Sequence, residues 1–417
     1  MALLRSVATV GSYTLVSRVL GFIRDILTAA ILGAGPVADA FFVAQRLPNL
    51  FRSLFAEGAF SAAFVPLASG ALAEGGKPAL REFAEEAFAV LFVVLFGFVL
   101  LGEIFMPWAM VAIAPGFGAD PGKFDLAVSL TRITFPYLLL ISLTALQGGL
   151  LNAVDRFAAP AATPILLNLF LIAALVSMVH FGRHDGYALA WALSAAGVAQ
   201  FLWLMLSCMR AGVGLRLNLP RLTPRVRETL RIMGPGIFGA GVTQLNLVIS
   251  TALASLLPSG SVSYLYYADR LNQLPLGVVG IAIGTAILPS LSRQVRTGDV
   301  AGAAATQNRG VELALLLTLP AAAALVVLAR PILAVLFERG AFGPAEAAAT
   351  AAALLMAAVL IALRLLLAPA LAGPAPLRLL ALAGLIAAGL CSFGGLILAL
   401  RVTGWQELRG QLRRQPA

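Results

Sequence analysis

Apolar residues fall into long continuous runs along the chain, separated by short stretches rich in charge, proline or glycine. Eleven such runs stand out, at about 6–32, 37–70, 84–114, 126–152, 160–181, 187–209, 229–257, 262–292, 310–337, 345–371 and 377–401. A helix needs about 20 apolar residues to cross the hydrocarbon core, so each run predicts a membrane-spanning α-helix. Barrel strands alternate apolar and polar positions in segments of about ten residues, a pattern absent here. The expected fold is an all-α polytopic membrane protein. Gly21, Pro48, Pro136, Pro235 and Pro275 fall inside the runs, which predicts interrupted helices. Interruptions are tolerated where neighbouring helices or a cavity satisfy the freed backbone groups.

Composition agrees. Of 417 residues 60% are hydrophobic and 12% charged, with a mean hydropathy of +0.94, against roughly 25% charged in a soluble domain. The first run carries Arg18, Arg24 and Asp25, so it does not read as a cleavable signal. Cys208 and Cys391 lie in apolar runs and imply no disulfide framework. His180 and His184 flank one short loop, read as a loop feature rather than a metal centre. The net charge of +10 reflects basic loops rather than nucleic-acid binding. With the N-terminus cytoplasmic, the inside loops hold thirteen Lys and Arg residues, from Arg5, Lys77 and Arg81 through Arg210–Arg231 to Arg309. The outside loops hold four, Lys123, Arg183, Arg330 and Arg339. The positive-inside bias therefore predicts an N-inside topology.

An internal repeat organises the chain. Arg46-Leu47-Pro48-Asn49-Leu50 followed by Ala59 to Pro66 recurs as Arg270-Leu271-Asn272-Gln273-Leu274 followed by Ala282 to Pro289, about 223 residues later. Six helices separate the copies, so both run in one direction, and two parallel-repeat lobes are expected. The divisions are an N-terminal six-helix lobe at 1–210, a basic cytoplasmic loop at 211–228, a partial C-terminal lobe at 229–350, and 351–417 as a hybrid helix, a last helix and a basic tail. The second lobe is short of helices. Residues 351–363 read as a seam, where an Ala-rich helix start passes into a Leu-rich body. Eleven spans would leave Arg409, Arg413 and Arg414 outside, against the charge bias.

Charge inside helices is the informative chemical signal. Arg18, Arg24 and Asp25 lie in the first run, Asp39, Arg46, Arg52 and Glu57 in the second, and Asp269 and Arg270 in the eighth. An Arg at the bilayer centre costs at least about 2.5–3.5 kcal/mol, so such residues face water or a partner. At 100° per residue Arg18 and Asp25 share a face, Gln45, Asn49 and Arg52 form a stripe, and Ser263 and Arg270 another. Arginine stays protonated and grips phosphate bidentately, so the expected ligand is an anion, phosphate or pyrophosphate, in a cavity between the lobes. The alternative is that these groups are structural ion pairs. No P-loop, Gly-x-Ser-x-Gly or metal-spaced His/Cys cluster is present, so no enzyme is predicted and any transport is secondary.

Ser17 to Asp25, Gly35 to Phe41, Arg46 to Arg52, Glu57 to Ser61, Tyr266 to Leu271 and Leu336 to Phe342 together closely resemble the MurJ (MviN) lipid II flippases of the multidrug/oligosaccharidyl-lipid/polysaccharide exporter superfamily. The resemblance runs from residue 1 to about 350 and returns over the last helices. It implies alternating-access transport of the undecaprenyl-diphosphate-linked peptidoglycan precursor, lipid II, across the bacterial inner membrane, hence a role in cell-wall biogenesis and cell shape. Arg18, Arg24, Arg52 and Arg270 match arginines lining the family's central cavity. Asn49, Gln244 and Ser263 match polar substrate-binding positions, and Asp25, Asp39 and Asp269 match cavity and gating acids. Gln273 stands where many relatives carry an acid. The implied partners are lipid II and membrane lipids, with no nucleic acid and no cofactor.

The resemblance implies fourteen helices, and this chain offers about eleven. Helices ten to twelve and part of thirteen are expected to be missing, and with them the sodium site of some members. Two other functions fit parts of the pattern. A drug or cation antiporter of the same superfamily would need carboxylates and aromatics in its cavity. A truncated, inactive paralogue or membrane scaffold would fit the missing helices.

Overall fold

The computed structural model describes residues 2–55, 59–275 and 281–367, and four single positions beyond them, 384, 388, 392 and 395. Most of the run 377–401, the basic tail and Glu57 lie outside the described residues. Among the described residues the regular structure is helical, with a single isolated β-bridge between Arg339 and Phe342. The helices are α1 (Ala2–Leu32), α2 (Pro36–Phe55), α3 (Ala59–Ile104), α4 (Met106–Ile113), α5 (Pro121–Thr134), α6 (Tyr137–Ala153), α7 (Ala158–Phe181), α8 (Tyr187–Arg210), α9 (Pro224–Ser255), α10 (Ser261–Pro275), α11 (Ile281–Arg296), α12 (Val300–Val327), α13 (Ala329–Phe337) and α14 (Pro344–Leu366). A 3-10 turn, Pro115–Ala119, joins α4 to α5.

Among the described residues five segments are long and apolar enough to cross a membrane: Ala62–Ile104, Pro121–Ala153, Ala158–Phe181, Tyr187–Arg210 and Val300–Val327. Others, such as α1 and α2, carry the charges described above, which lowers their hydropathy. The run expected at 37–70 takes in α2 and the start of α3, and residues 56–58 lie outside the described residues. Gly75 and Gly76 kink α3, Gly76 at φ 66° and ψ −160°, a conformation open to glycine alone. Of the predicted interruptions, Pro136 separates α5 from α6, and Pro275 is the last described residue before 276–280, which lie outside the described residues. Pro48 and Pro235 sit inside continuous helices. At Pro136 the dihedrals stay helical (φ −58°, ψ −22°), so α5 and α6 form one kinked span.

The chain forms two compact units, Met1–Val262 and Ser263–Ala417. In the first, α1 packs on α7, α7 on α8, α8 on α6, α6 and α9 on α3, and α5 on α2. Its core is aromatic: Phe64 stacks between Phe60 and Phe83 at 5.1 and 5.3 Å, within a cluster that includes Leu80, Leu146 and Leu150. Helices approach closely at small residues, as expected in lipid. A Cβ on Gly197 of α8 would lie 2.7 Å from Tyr137 Cδ2 of α6.

In the second unit, Tyr267 of α10 is fully buried against Phe337 and Phe342, centroids 5.6 and 5.3 Å away. The Leu336–Phe342 motif thus closes over the Tyr266–Leu271 motif. α14 passes unbroken through residues 351–363 and buries a row of alanines, Ala347–Ala349 and Ala351–Ala353. Helix α10 and α11, on either side of residues 276–280, carry the second copy of the sequence repeat, as α2 and α3 carry the first.

Candidate functional site

Helix α1 brings two of the predicted residues into one cluster. The Arg24 guanidinium donates to Asp25 Oδ1 through Nε (3.1 Å) and Nη2 (2.7 Å), and through Nη1 to Asn168 Oδ1 on α7 (3.0 Å). Asn168 in turn donates from Nδ2 to the Ser17 carbonyl at 2.9 Å. Asp25 is buried, at 4% exposure. Arg18, on the same helix, is exposed.

Helix α2 carries the polar stripe expected at Gln45, Asn49 and Arg52. Asn49 Nδ2 donates to the Gln45 carbonyl (3.0 Å), and Arg52 Nε donates to Asn49 Oδ1 (3.3 Å). Two further bonds tie this helix to α9. Gln244 Nε2 donates to Ser53 Oγ at 2.8 Å, and Arg46 Nη1 donates to Thr251 Oγ1 at 2.6 Å. The space beside Arg46, lined by Leu50, Ile113, Leu247 and Thr251, is about 10 Å³, room for a single water at most.

The other end of α2 holds Asp39, with 1% exposure. Its Oδ2 accepts from Lys123 Nζ on α5 (2.7 Å) and from the Gly260 backbone N–H just before α10 (2.7 Å). Lys123, 8% exposed, also donates to Ser259 Oγ (3.2 Å) and lies 4.2 Å from the centre of the Phe117 ring. Asp120 caps α5 by accepting from the Lys123 N–H. Alongside, the Gly116 N–H donates to Ser255 Oγ at 3.0 Å, and the Ser255 carbonyl leaves no room for a Cβ on Gly116. At 1.5 Å of rise per residue Asp39 and Arg52 are about 20 Å apart along α2, so they serve different groups.

In the second unit α10 carries a polar chain of its own. Arg270 Nη1 donates to Gln273 Oε1 (3.2 Å), and Gln273 Nε2 donates to Asp269 Oδ2 (2.5 Å). The Arg270 guanidinium lies 4.7 Å from the centre of the Tyr266 ring, a cation–π distance. Gln273 thus links Arg270 to the acid one turn earlier. Ser263 is fully buried.

Two larger clefts in the first unit involve other residues. One, of about 510 Å³, is lined by Asp155, Arg156, Ser207 and Arg210, and another, of about 540 Å³, by Arg132, Pro136 and Trp191. Among the described residues no group of His, Cys, Asp and Glu is placed to hold a metal ion. Sequence reasoning missed Asn168, Thr251, Ser53, Ser259 and the pairing role of Lys123. A lone Asn in the apolar run 160–181 was a visible signal. Lys123 read only as a loop charge.

The fold is that of a multi-pass α-helical membrane protein. A solved MATE family transporter of the MOP superfamily in an inward-facing conformation superposes with a TM-score of 0.64 at 15% identity, covering 93% of this chain and 84% of that one. A solved structure described as "Lipid II flippase MurJ, inward closed conformation" gives 0.69 at 24% identity, covering 94% and 87%. The sequence profile of the family described as "Lipid II flippase MurJ" matches residues 28–370, and the chain belongs to that family. The "Probable lipid II flippase MurJ" of Rhizobium meliloti (strain 1021) is 49% identical over 348 residues, 82% of this chain and 65% of the relative. The chain thus spans just under two thirds of that relative's length.

Proposed function

We propose that this protein transports lipid II, the undecaprenyl-diphosphate-linked peptidoglycan precursor, across the bacterial inner membrane by alternating access. The observation that carries the reading is the family match over residues 28–370, which takes in the polar faces of α2, α9 and α10. Chemistry supports it. Arg18, Arg24, Arg52 and Arg270 supply permanently charged donors suited to a diphosphate, with Asn49, Gln244 and Ser263 as neutral donors and acceptors. Asp25, Asp39 and Asp269 hold neighbouring groups in position, as the bonds of Asp25 to Arg24 and of Asp39 to Lys123 illustrate. Transport of this kind breaks no covalent bond, so no catalytic group or cofactor is needed.

The N-terminus and the basic loop 211–228 are cytoplasmic in this reading, and the lobes are those of the sequence repeat. Complementation of a strain depleted of its own flippase tests it. Growth at normal expression is expected. A membrane-inserted chain that never restores growth would favour the second reading, an inactive paralogue, which the 65% coverage of the relative makes worth stating.

A further inference from the structure

We propose that Lys123 is a positioning residue for transport. With Asp39 it clamps the turn that starts α10 onto the first turns of α2 and α5, and the clamp opens and re-forms in each cycle. The inference rests on the transport reading above and adds to it a residue and a moving joint.

The joint is built as a closed, dry contact. An ammonium group has three donors and no acceptor. Here one is bound by Asp39 Oδ2, one by Ser259 Oγ, and the face of Phe117 lies 4.2 Å away. Asp39 is correspondingly spent on Lys123 and on the Gly260 N–H. Gly260 sits at φ 98°, a conformation glycine adopts freely, and that conformation places its N–H toward α2. Three separate stretches of chain therefore meet at one charge pair: α2, α5 and the turn that leads into the helix bearing Ser263, Asp269 and Arg270.

The energetics suit a switch better than a rivet. A buried ion pair roughly breaks even against two hydrated ions, because desolvation offsets the Coulomb attraction. The closed geometry is enforced by the large penalty for burying either charge alone. Opening to water is affordable because both ions regain hydration together. An apolar contact of the same size would lack that second property. The neighbouring bond from Gly116 to Ser255 fixes the end of α9 beside the joint, so the motion concentrates in the turn 256–260.

Ser261, the first residue of α10, is 2% exposed and reports on the joint. In a chain with Cys208 and Cys391 changed to serine, Ser261→Cys is introduced and its maleimide labelling rate is measured on purified full-length protein. Lys123→Met should speed labelling by about tenfold or more, since removing one partner of a buried pair costs more than the roughly 1.4 kcal/mol that a factor of ten represents. Lys123→Met should also fail to complement, and Lys123→Arg should keep part of the activity. Asp39→Asn with Lys123→Met leaves no unpaired charge, and its labelling rate should fall between the parent and the single variant. If Lys123→Met does not accumulate in membranes, the double variant alone should still label faster than the parent. Equal labelling in the parent and in every variant that accumulates, or normal growth with Lys123→Met, overturns the proposal. Labelling is read without transport, so a parent that fails to complement would count against the transport reading and leave the clamp measurable.

Discussion

An arginine within an apolar helix persists when polar groups meet it, and Arg24 shows how many that takes. Its guanidinium reaches a carboxylate on its own helix and an amide on α7. Arg270 combines a glutamine with the face of Tyr266. Arg24→Ala and Arg270→Ala should each abolish complementation while the protein still inserts. Lysine at either place should rescue in part, since it lacks the planar fork. Normal growth with alanine at both positions would remove the phosphate-binding role. Asn168→Leu should lower stability by about 1–3 kcal/mol, the cost of stranding buried hydrogen-bonding groups. A thermal unfolding midpoint in detergent identical to the parent's would show that Asn168 is not needed. The arginines were legible in the sequence because charge is conspicuous in an apolar run. Their partners were not, since Asn168 lies 144 residues from Arg24 and Lys123 lies 84 from Asp39, and no spacing rule links positions so far apart.

At the level of helices, α7 and α8 follow from apolar runs alone, because nothing interrupts their 24 residues apart from Pro164 in α7. Breaks were harder to place. Proline removes one backbone donor wherever it stands, yet α2 continues through Pro48 and α9 through Pro235, whereas α5 stops before Pro136. What decides is whether surrounding helices hold the geometry, which is a tertiary matter. α12 likewise begins at Val300 rather than near 310, since Asp299 caps it by accepting from the Gly302 N–H, and a polar first turn is invisible to an apolar-run criterion. Helix packing carries its own prediction. Gly197 lets α8 approach Tyr137, whose hydroxyl donates to Gln200 Oε1, while Gln200 Nε2 donates to the Thr163 carbonyl of α7. Gly197→Val should cost about 1–3 kcal/mol through overpacking. Gly97→Ala, where a Cβ meets nothing within 4 Å, should leave the melting temperature unchanged, and equal losses at the two sites would refute the packing explanation.

For the whole molecule, the class of fold was plain from hydropathy, and the family from motifs that the structure draws together, as Tyr267 with Phe337 and Phe342 shows. The number of spans was less legible. Among the described residues five segments satisfy length and apolarity outright, and the other described helices carry charge or are short, so that their place in the membrane depends on neighbours. The orientation is testable directly. Cysteines replacing Lys77 or Arg221 should resist an impermeant thiol reagent added to intact cells, whereas His184→Cys should react. The reverse pattern would invert the topology.

Residues 213–223, between α8 and α9, have no regular structure, yet they are fastened to α3. Lys77 Nζ donates to the Ala211 carbonyl, Glu85 accepts from the Arg216 N–H and from Asn218 Nδ2, Glu86 accepts from Thr223 Oγ1, and Arg225 pairs with Glu74. An untethered stretch from 211 to 223 could extend about 45 Å at 3.3–3.6 Å per residue. Fastened at intervals, it has almost no slack, and its contour length ceases to set where α9 begins. Sequence added between Asn218 and Thr223 would bulge outward as a loop, at a closure cost that grows only slowly with length, and α9 would keep its register on α3. The connection behaves as a strap whose buckles, rather than its length, fix what it joins.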